Sequence, residues 1–208
     1  MRVKSEDRRQ AIVDAAMKVF REMGYERASM SEISARVGGS KATLYSYFKS
    51  KEELYATAMV EATEEQRRHV LSHLMPPGAD IKRSLEEFAK ASLNLITTLE
   101  VLAVMRTAIA EGASSKLGPL LYDLGPRAVW EEVTAYLARL MEAGELRQGD
   151  PEIAAMHFKG LIEAGIFEPA LYGASPRISN ETGAQQAVEI FLRAYGPERG
   201  SASGKIER

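Results

Sequence analysis

The stretch SMSEISARVGGSKATLYSYFKSKEEL, residues 29–54, decides the fold. Ser29 stands three residues before Glu32, which is the capping-box pattern that begins a helix. The glycine pair at 38–39 ends this short helix, and Ser40 then caps a second one. Two short helices joined by a tight glycine turn predict a helix-turn-helix unit, whose second helix lies in the major groove of DNA.

The second short helix, about Lys41 to Phe48, carries the candidate recognition surface. Leu44 and Phe48 form its apolar side, and the opposite side offers hydroxyl donors, an ammonium group and a methyl group. These groups suit phosphates and the edges of bases in the major groove. The candidate DNA-binding residues come from this opposite side, from two helix caps and from the first residue of the next helix. They are Ser29, Ser40, Lys41, Ala42, Thr43, Tyr45, Tyr47 and Lys51.

Helical signals continue on both sides of this unit. An apolar stripe predicts a helix from about Glu6 to Met23, and a second capping box at residues 50–53 begins a long helix from Lys51 to about Leu74. Proline and glycine breaks then separate further helices, including one over about 151–172 and a last one over 181–195. No window alternates as a strand would, so the fold class is all-α.

The domain organisation follows from these elements and from the distribution of charge. We expect a three-helix DNA-binding domain over 6–53, a larger helical domain for ligand binding and dimerisation over 54–196, and a disordered tail over 197–208. Residues 1–50 carry ten basic and six acidic side chains, whereas the rest of the chain carries 17 basic and 23 acidic ones. A basic head attracts phosphates even though the net charge of the whole chain is −2.

Residues 29–54 resemble the signature of the tetracycline-repressor (TetR) family of transcriptional regulators. The matching positions are Ser29, Ile33, Gly38, Ser40, Leu44, Tyr45, Tyr47, Phe48, Lys51 and Leu54, preceded by Phe20, Gly24 and Tyr25. The chain departs from the pattern at Gly39, where the family usually has an apolar residue, and at Ser34, where Ala is usual. We expect Gly39 to loosen the turn, at a cost of ~0.5–1 kcal/mol.

The resemblance implies a homodimer that binds a palindromic double-stranded DNA operator and is released by a small-molecule effector. The stretch 110–172 is also similar to the C-terminal domain of AefR-like members. The implied dimer interface uses the last two long helices, with candidates Phe158, Leu161, Ile162, Phe167, Val188, Phe191 and Leu192, some of which must instead face the core of the monomer. The candidate effector pocket comprises Met59, Leu95, Leu99, Met105, Ile109, Tyr122, Trp130 and Tyr136, although each of these residues also suits an ordinary core.

Composition argues against several other classes of protein. The chain has no Cys, its N-terminus lacks the apolar segment of a signal peptide, and no window approaches the ~18 apolar residues of a membrane span. We therefore expect a cytoplasmic protein with no membrane partner. No nucleophile–base grouping or phosphate loop indicates an enzyme, and no cofactor motif is present.

A metal site is the remaining alternative. Glu65, His69 and His73 recur every four residues, which places three potential ligands along one face if the helix continues to Leu74. The same residues also suit a solvated helix end, so metal binding is the weaker interpretation.

Overall fold

A computed structural model describes residues 5–197, and this part of the chain contains helices and no strand, which confirms the all-α class. A π-helical turn, Asp123–Arg127, joins two of the helices. The helices are α1 Glu6–Arg27, α2 Met30–Val37, α3 Lys41–Tyr47, α4 Lys51–Ala62, α5 Glu64–Leu71, α6 Ile81–Ile96, α7 Leu99–Glu111, α8 Leu117–Tyr122, α9 Ala128–Glu142, α10 Pro151–Glu163, α11 Phe167–Leu171 and α12 Asn180–Tyr195. The predicted tail falls mostly outside the described residues.

The first of two compact units comprises residues 5–69 and 95–129. Its core is formed by apolar side chains of α1 to α4 together with Leu117 and Leu121 of α8. This unit is therefore larger than the predicted domain 6–53, because α4 packs on α1 and α8 packs on α4. Packing across these helices, which local sequence patterns do not report, sets the extent of the unit.

The long helix predicted from Lys51 to Leu74 is wrong in its extent. Thr63 leaves the helical conformation, with φ −109° and ψ 8°, and separates α4 from α5. Helix α5 then ends at Leu71, so His73 lies beyond it. The helical face assumed for the metal site is thus absent, and the described residues contain no group of three His, Cys, Asp or Glu side chains placed to hold a metal ion.

The second compact unit comprises residues 70–94 and 130–197. Phe88 of α6, Phe158 of α10 and Phe191 of α12 are fully buried, and the rings of Phe158 and Phe191 lie 4.7 Å apart. Burial of such large side chains removes the most apolar surface per residue, so these rings supply much of the packing free energy. Helices α10 and α12 pack directly on each other through this cluster.

Two helix boundaries also differ from the sequence prediction. The helix expected over 151–172 is interrupted after Glu163, because Gly165 adopts a φ of +70° that favours glycine. By contrast, the glycine and proline at Gly125-Pro126 leave no gap between α8 and α9, because the π-helical turn accommodates Pro126.

The helices of the described residues differ from membrane spans in length and composition. No single helix there is both long and apolar enough to cross a membrane, and only α6 and α7 taken together reach the required length and composition.

Candidate nucleic-acid interface

Three serines cap the helices that form the helix-turn-helix unit and its support. Oγ of Ser29 accepts from the amide of Glu32 at 3.2 Å, Oγ of Ser40 accepts from the amide of Thr43 at 3.1 Å, and Oγ of Ser50 begins α4 in the same way. Each cap satisfies an amide that has no partner within the helix. The helix starts predicted from the Ser positions are therefore confirmed.

Helix α3 divides into a buried side and an exposed side. Leu44 is buried and Phe48, just past the helix, is buried with it, whereas Lys41, Ala42 and Thr43 are exposed. Tyr45 is half exposed on the same outer side. A short helix that offers an ammonium group, a methyl group and two hydroxyl groups to solvent fits direct contact with DNA.

Tyr47 occupies a different position from the other candidates. Its hydroxyl oxygen accepts from the amide of Ser5 at 3.2 Å, which joins the end of α3 to the residue that caps α1. Ser5 in turn accepts from the amide of Arg8. The Tyr47 hydroxyl therefore also has a structural contact within the head, beside the phosphate contact predicted from the sequence.

Lys51 contacts Tyr25, although the sequence predicted a contact with a DNA phosphate. Its Nζ donates to the carbonyl oxygen of Tyr25 at 3.0 Å and lies 4.1 Å from the centroid of the Tyr25 ring. The sequence position at the start of α4 suggested a phosphate contact, but the nearby carbonyl and ring use the ammonium group instead. Lys51 thus joins α4 to the end of α1.

The tyrosine beside Lys51 lies in a small aromatic cluster. The rings of Tyr25 and Phe20 each meet the ring of Tyr55 edge to face at 4.8 Å. Burial raises the pKa of Tyr25 and of Tyr55, with the charge of Glu52 adding to the shift at Tyr25. Both phenols therefore stay neutral, and they fix α4 against α1.

The turn between α2 and α3 is held by side chains that sequence reasoning missed. Nη1 and Nη2 of Arg8 approach the carbonyl oxygens of Val37 and Gly38 at 3.5 and 3.2 Å. Oγ of buried Ser34 donates to the carbonyl oxygen of Gly39 at 2.7 Å. The expectation that Gly39 loosens the turn is not supported, because its carbonyl and the two before it all accept side-chain donors.

Ion pairs support α1 from three sides. Arg9 reaches Glu61 of α4 at 2.7 Å, Arg36 of α2 reaches Glu22 at 2.7 Å, and Arg21 reaches Glu100 of α7 at 2.6 Å. The hydrogen bond to Glu61 raises the pKa of Arg9, and that to Glu22 raises the pKa of Arg36. Such partly exposed pairs each contribute little stability, and they connect α1 to α2, α4 and α7.

The candidate pocket residues are divided between the two compact units. Met59 belongs to the core of the first unit, and Tyr136 is buried in the second, where its hydroxyl lies 3.2 Å from Oγ of Ser84. Leu99 is 83% exposed, and Ile109 and Tyr122 are also exposed. Exposure argues against these three as pocket lining; the other three candidates, Leu95, Met105 and Trp130, are partly buried.

Trp130 lies beside the aromatic core of the second unit. Its ring meets Phe88 and Phe158 edge to face at 6.1 and 6.4 Å. One turn after Phe88 on the same helix, Ser92 is buried, and its Oγ has no hydrogen-bond partner among the described residues. An unpaired buried hydroxyl costs free energy, so this part of the unit is a candidate for contact with a polar group.

The predicted dimer residues need correction. Phe158, Ile162, Val188 and Phe191 are fully buried within the chain itself, so they present no surface to a second copy. Leu161, Phe167 and Leu192 are only partly buried. The exposed apolar residues of the same two helices are different ones, namely Ile153, Met156 and Ile190. The sequence prediction therefore selected residues that face the core and named none of these three exposed ones.

The fold and the exposed side of α3 define the class of the protein: a helix-turn-helix DNA-binding protein with an additional helical unit. Residues 12–58 match the family described as "Bacterial regulatory proteins, tetR family", and residues 83–197 match "AefR-like transcriptional repressor, C-terminal domain". The chain belongs to the TetR family of transcriptional regulators.

Individual relatives agree with this family. The regulator BetI of Klebsiella pneumoniae (strain 342) is 32% identical over 195 residues, which cover 91% of this chain and 94% of that protein. A solved TetR-family regulator from Mesorhizobium loti is 26% identical, covers 93% of this chain and 99% of that one, and superposes with a TM-score of 0.77. The "Flavonoid-responsive Regulator FrrA" is 28% identical, covers 93% and 100% of the two chains, and has a TM-score of 0.74.

Proposed function

We propose that this regulator is a repressor that binds a palindromic operator as a homodimer and is released by a small-molecule effector. The observation that carries the proposal is the exposed side of α3. The helix begins at the Ser40 cap, and the exposed residues are Lys41, Ala42, Thr43 and Tyr45. In a dimer, two such helices read half-sites one helical turn of DNA, ~34–36 Å, apart.

The proposed dimer contact is the outer side of α10 and α12. Ile153, Met156 and Ile190 are each about half exposed there. Gly160, also exposed on this side, has nothing within 4 Å of the position of a Cβ and therefore leaves room for a close neighbour. An exposed apolar surface on two packed helices suits a second copy of the same surface, related by twofold symmetry.

The proposed effector site lies in the second unit around Trp130 and Ser92. The aromatic rings there suit a planar aromatic molecule, and the Ser92 hydroxyl offers a polar contact. The flavonoid-responsive relative adds support for this class of effector. Because Trp130 is the only tryptophan of the chain, its fluorescence reports directly on binding near it.

The first experiment is selection of an operator from random duplex DNA, followed by fluorescence anisotropy at two salt concentrations with an unrelated duplex as competitor. The proposal predicts binding that survives the competitor and weakens with salt, because cation–phosphate contacts release counterions. A flavonoid is then added stepwise, while Trp130 fluorescence and the release of DNA are measured together. Failure to enrich any sequence would contradict operator binding, and quenching without release would contradict the effector mechanism.

A further inference from the structure

The turn between α2 and α3 contains a glycine that its backbone conformation does not require. Gly38 has a φ of +72°, which explains that glycine, but Gly39 does not have a positive φ. A Cβ placed on Gly39 would instead lie 2.7 Å from Nη2 of Arg8. A side chain at position 39 would therefore displace the guanidinium group of Arg8, which is the flexible end of that side chain.

Arg8 reaches this position from the first turn of α1. Its two terminal nitrogens lie within hydrogen-bond distance of the carbonyl oxygens of Val37 and Gly38, at the end of α2. Carbonyls at a helix end have no helical partner, and a cation is favourable beside them. Ser34 donates to the next carbonyl, that of Gly39. Three consecutive carbonyls directly before the Ser40 cap thus accept from side chains.

We propose that Arg8, Ser34 and Gly39 form a turn clamp that sets the direction of α3 against α2, and that Arg8 is a positioning residue for DNA recognition. The clamp acts on the peptide groups immediately before α3, so any displacement there moves Lys41 and Thr43 relative to the bases. This inference rests on the proposed operator binding, but its coupling can also be measured without DNA.

A double-mutant cycle tests the clamp. Gly39→Ala pushes the guanidinium away and Arg8→Met removes it, so each variant is expected to weaken operator binding about 10-fold, as loss of hydrogen bonds from a charged donor allows. Both changes disrupt the same contact between Arg8 and the turn. The double variant is therefore expected to bind the operator no more weakly than the single variant with the lower affinity. Gly149→Ala, which adds a Cβ in open space, is the glycine control.

The salt dependence separates positioning from direct binding to phosphate. If Arg8 bound a phosphate itself, Arg8→Met would reduce the salt slope by about one, whereas removal of a positioning residue leaves the slope unchanged. Lys18→Met, which removes an exposed positive charge further along α1, is the charge control. Additive effects of the two changes, a reduced slope for Arg8→Met, or parental binding by Gly39→Ala would each overturn the clamp.

Amide hydrogen exchange tests the same coupling in the free protein. The amides of Thr43 and Leu44 are bonded to Oγ and the carbonyl oxygen of Ser40 at 3.1 Å, so they report on the start of α3. Faster exchange at both amides in Arg8→Met and in Gly39→Ala, with no further increase in the double variant, supports the clamp. Parental exchange in both single variants overturns it, even if no operator is found and the proposed function fails.

Discussion

Helices α3 and α12 use their surfaces in different ways. In α3 the apolar residue Leu44 is buried and Lys41 and Thr43 are exposed, so this helix has an apolar inner side and a largely polar outer side. In α12, Phe191 is fully buried while its neighbour Ile190 is 48% exposed, so apolar residues lie on both sides. Apolar periodicity identifies the outer surface of a helix only where that surface is polar.

The largest expected effect concerns the inner side of α12. Phe191→Ala removes a ring that packs on Phe158 and Tyr195, and it should lower the free energy of unfolding by about 3–5 kcal/mol. Urea unfolding measures this decrease. The control is Gln186→Ala, an exposed change on the same helix, expected to stay within about 0.5 kcal/mol. Equal effects of the two changes would mean that the comparison between inner and outer sides is wrong.

A substitution on the outer side of α12 should weaken the dimer without affecting the folding of each chain. Ile190→Glu places a charge in the proposed contact between copies, and the dimer dissociation constant should rise about 100-fold, or roughly 2.7 kcal/mol. Sedimentation equilibrium measures it. Gln185→Glu adds the same charge on an exposed site roughly 140° away around the helix and should leave assembly intact. A parent protein that is monomeric, or a variant that dimerises normally, would contradict the proposed interface.

The outer side of α3 should affect DNA binding alone. Lys41→Ala is expected to weaken operator binding about 10-fold, within the range expected for removal of one side chain that binds a base or a phosphate, without changing assembly or thermal unfolding. Anisotropy on the selected operator measures this effect. Lys82→Ala removes an exposed lysine of α6 and should bind like the parent. Parental binding by Lys41→Ala would show that this side of α3 does not contact DNA.

The smallest expected effect concerns the support of α3 at the start of α4. A hydrogen bond from its own amide lowers the pKa of Glu52, with further contributions from Ser50, Lys51 and Tyr25. A lowered pKa contributes stability above the ordinary Glu value, and that stability is lost as pH falls through the folded value. The contribution should be below about 1 kcal/mol because the group is partly exposed.

Thermal unfolding between pH 7 and pH 3 measures this contribution. The parent should lose more stability than Glu52→Gln over that interval, whereas Glu26→Gln, an exposed change on α1, should follow the parent. Identical pH profiles for the parent and Glu52→Gln would show that the carboxylate does not stabilise the start of α4.

Features that depend on residues close in sequence were predicted correctly, whereas contacts between residues far apart in sequence were not. The Ser caps were correct, and the helix predicted to end near Met23 does break there, because Gly24 inside α1 has a non-helical φ of 76°. The hydrogen bonds of a cap and the φ of a glycine are set within a few residues. Lys51 was assigned to phosphate because nothing nearby in sequence shows that the Tyr25 carbonyl lies within reach. The only sequence signal for Arg8 was indirect, in the unusual Gly39 and Ser34.

The sequence by itself determined that the chain is helical, where its DNA-binding helices begin, and which family it belongs to. These properties depend on capping, periodicity and motif spacing, which are local. Only the tertiary structure decided that Ile190, and not Phe191, faces outward on α12, and that Arg8 occupies the space beside Gly39. Both outcomes depend on which helices pack together, because a side chain's neighbours far along the chain are fixed by packing and not by local pattern.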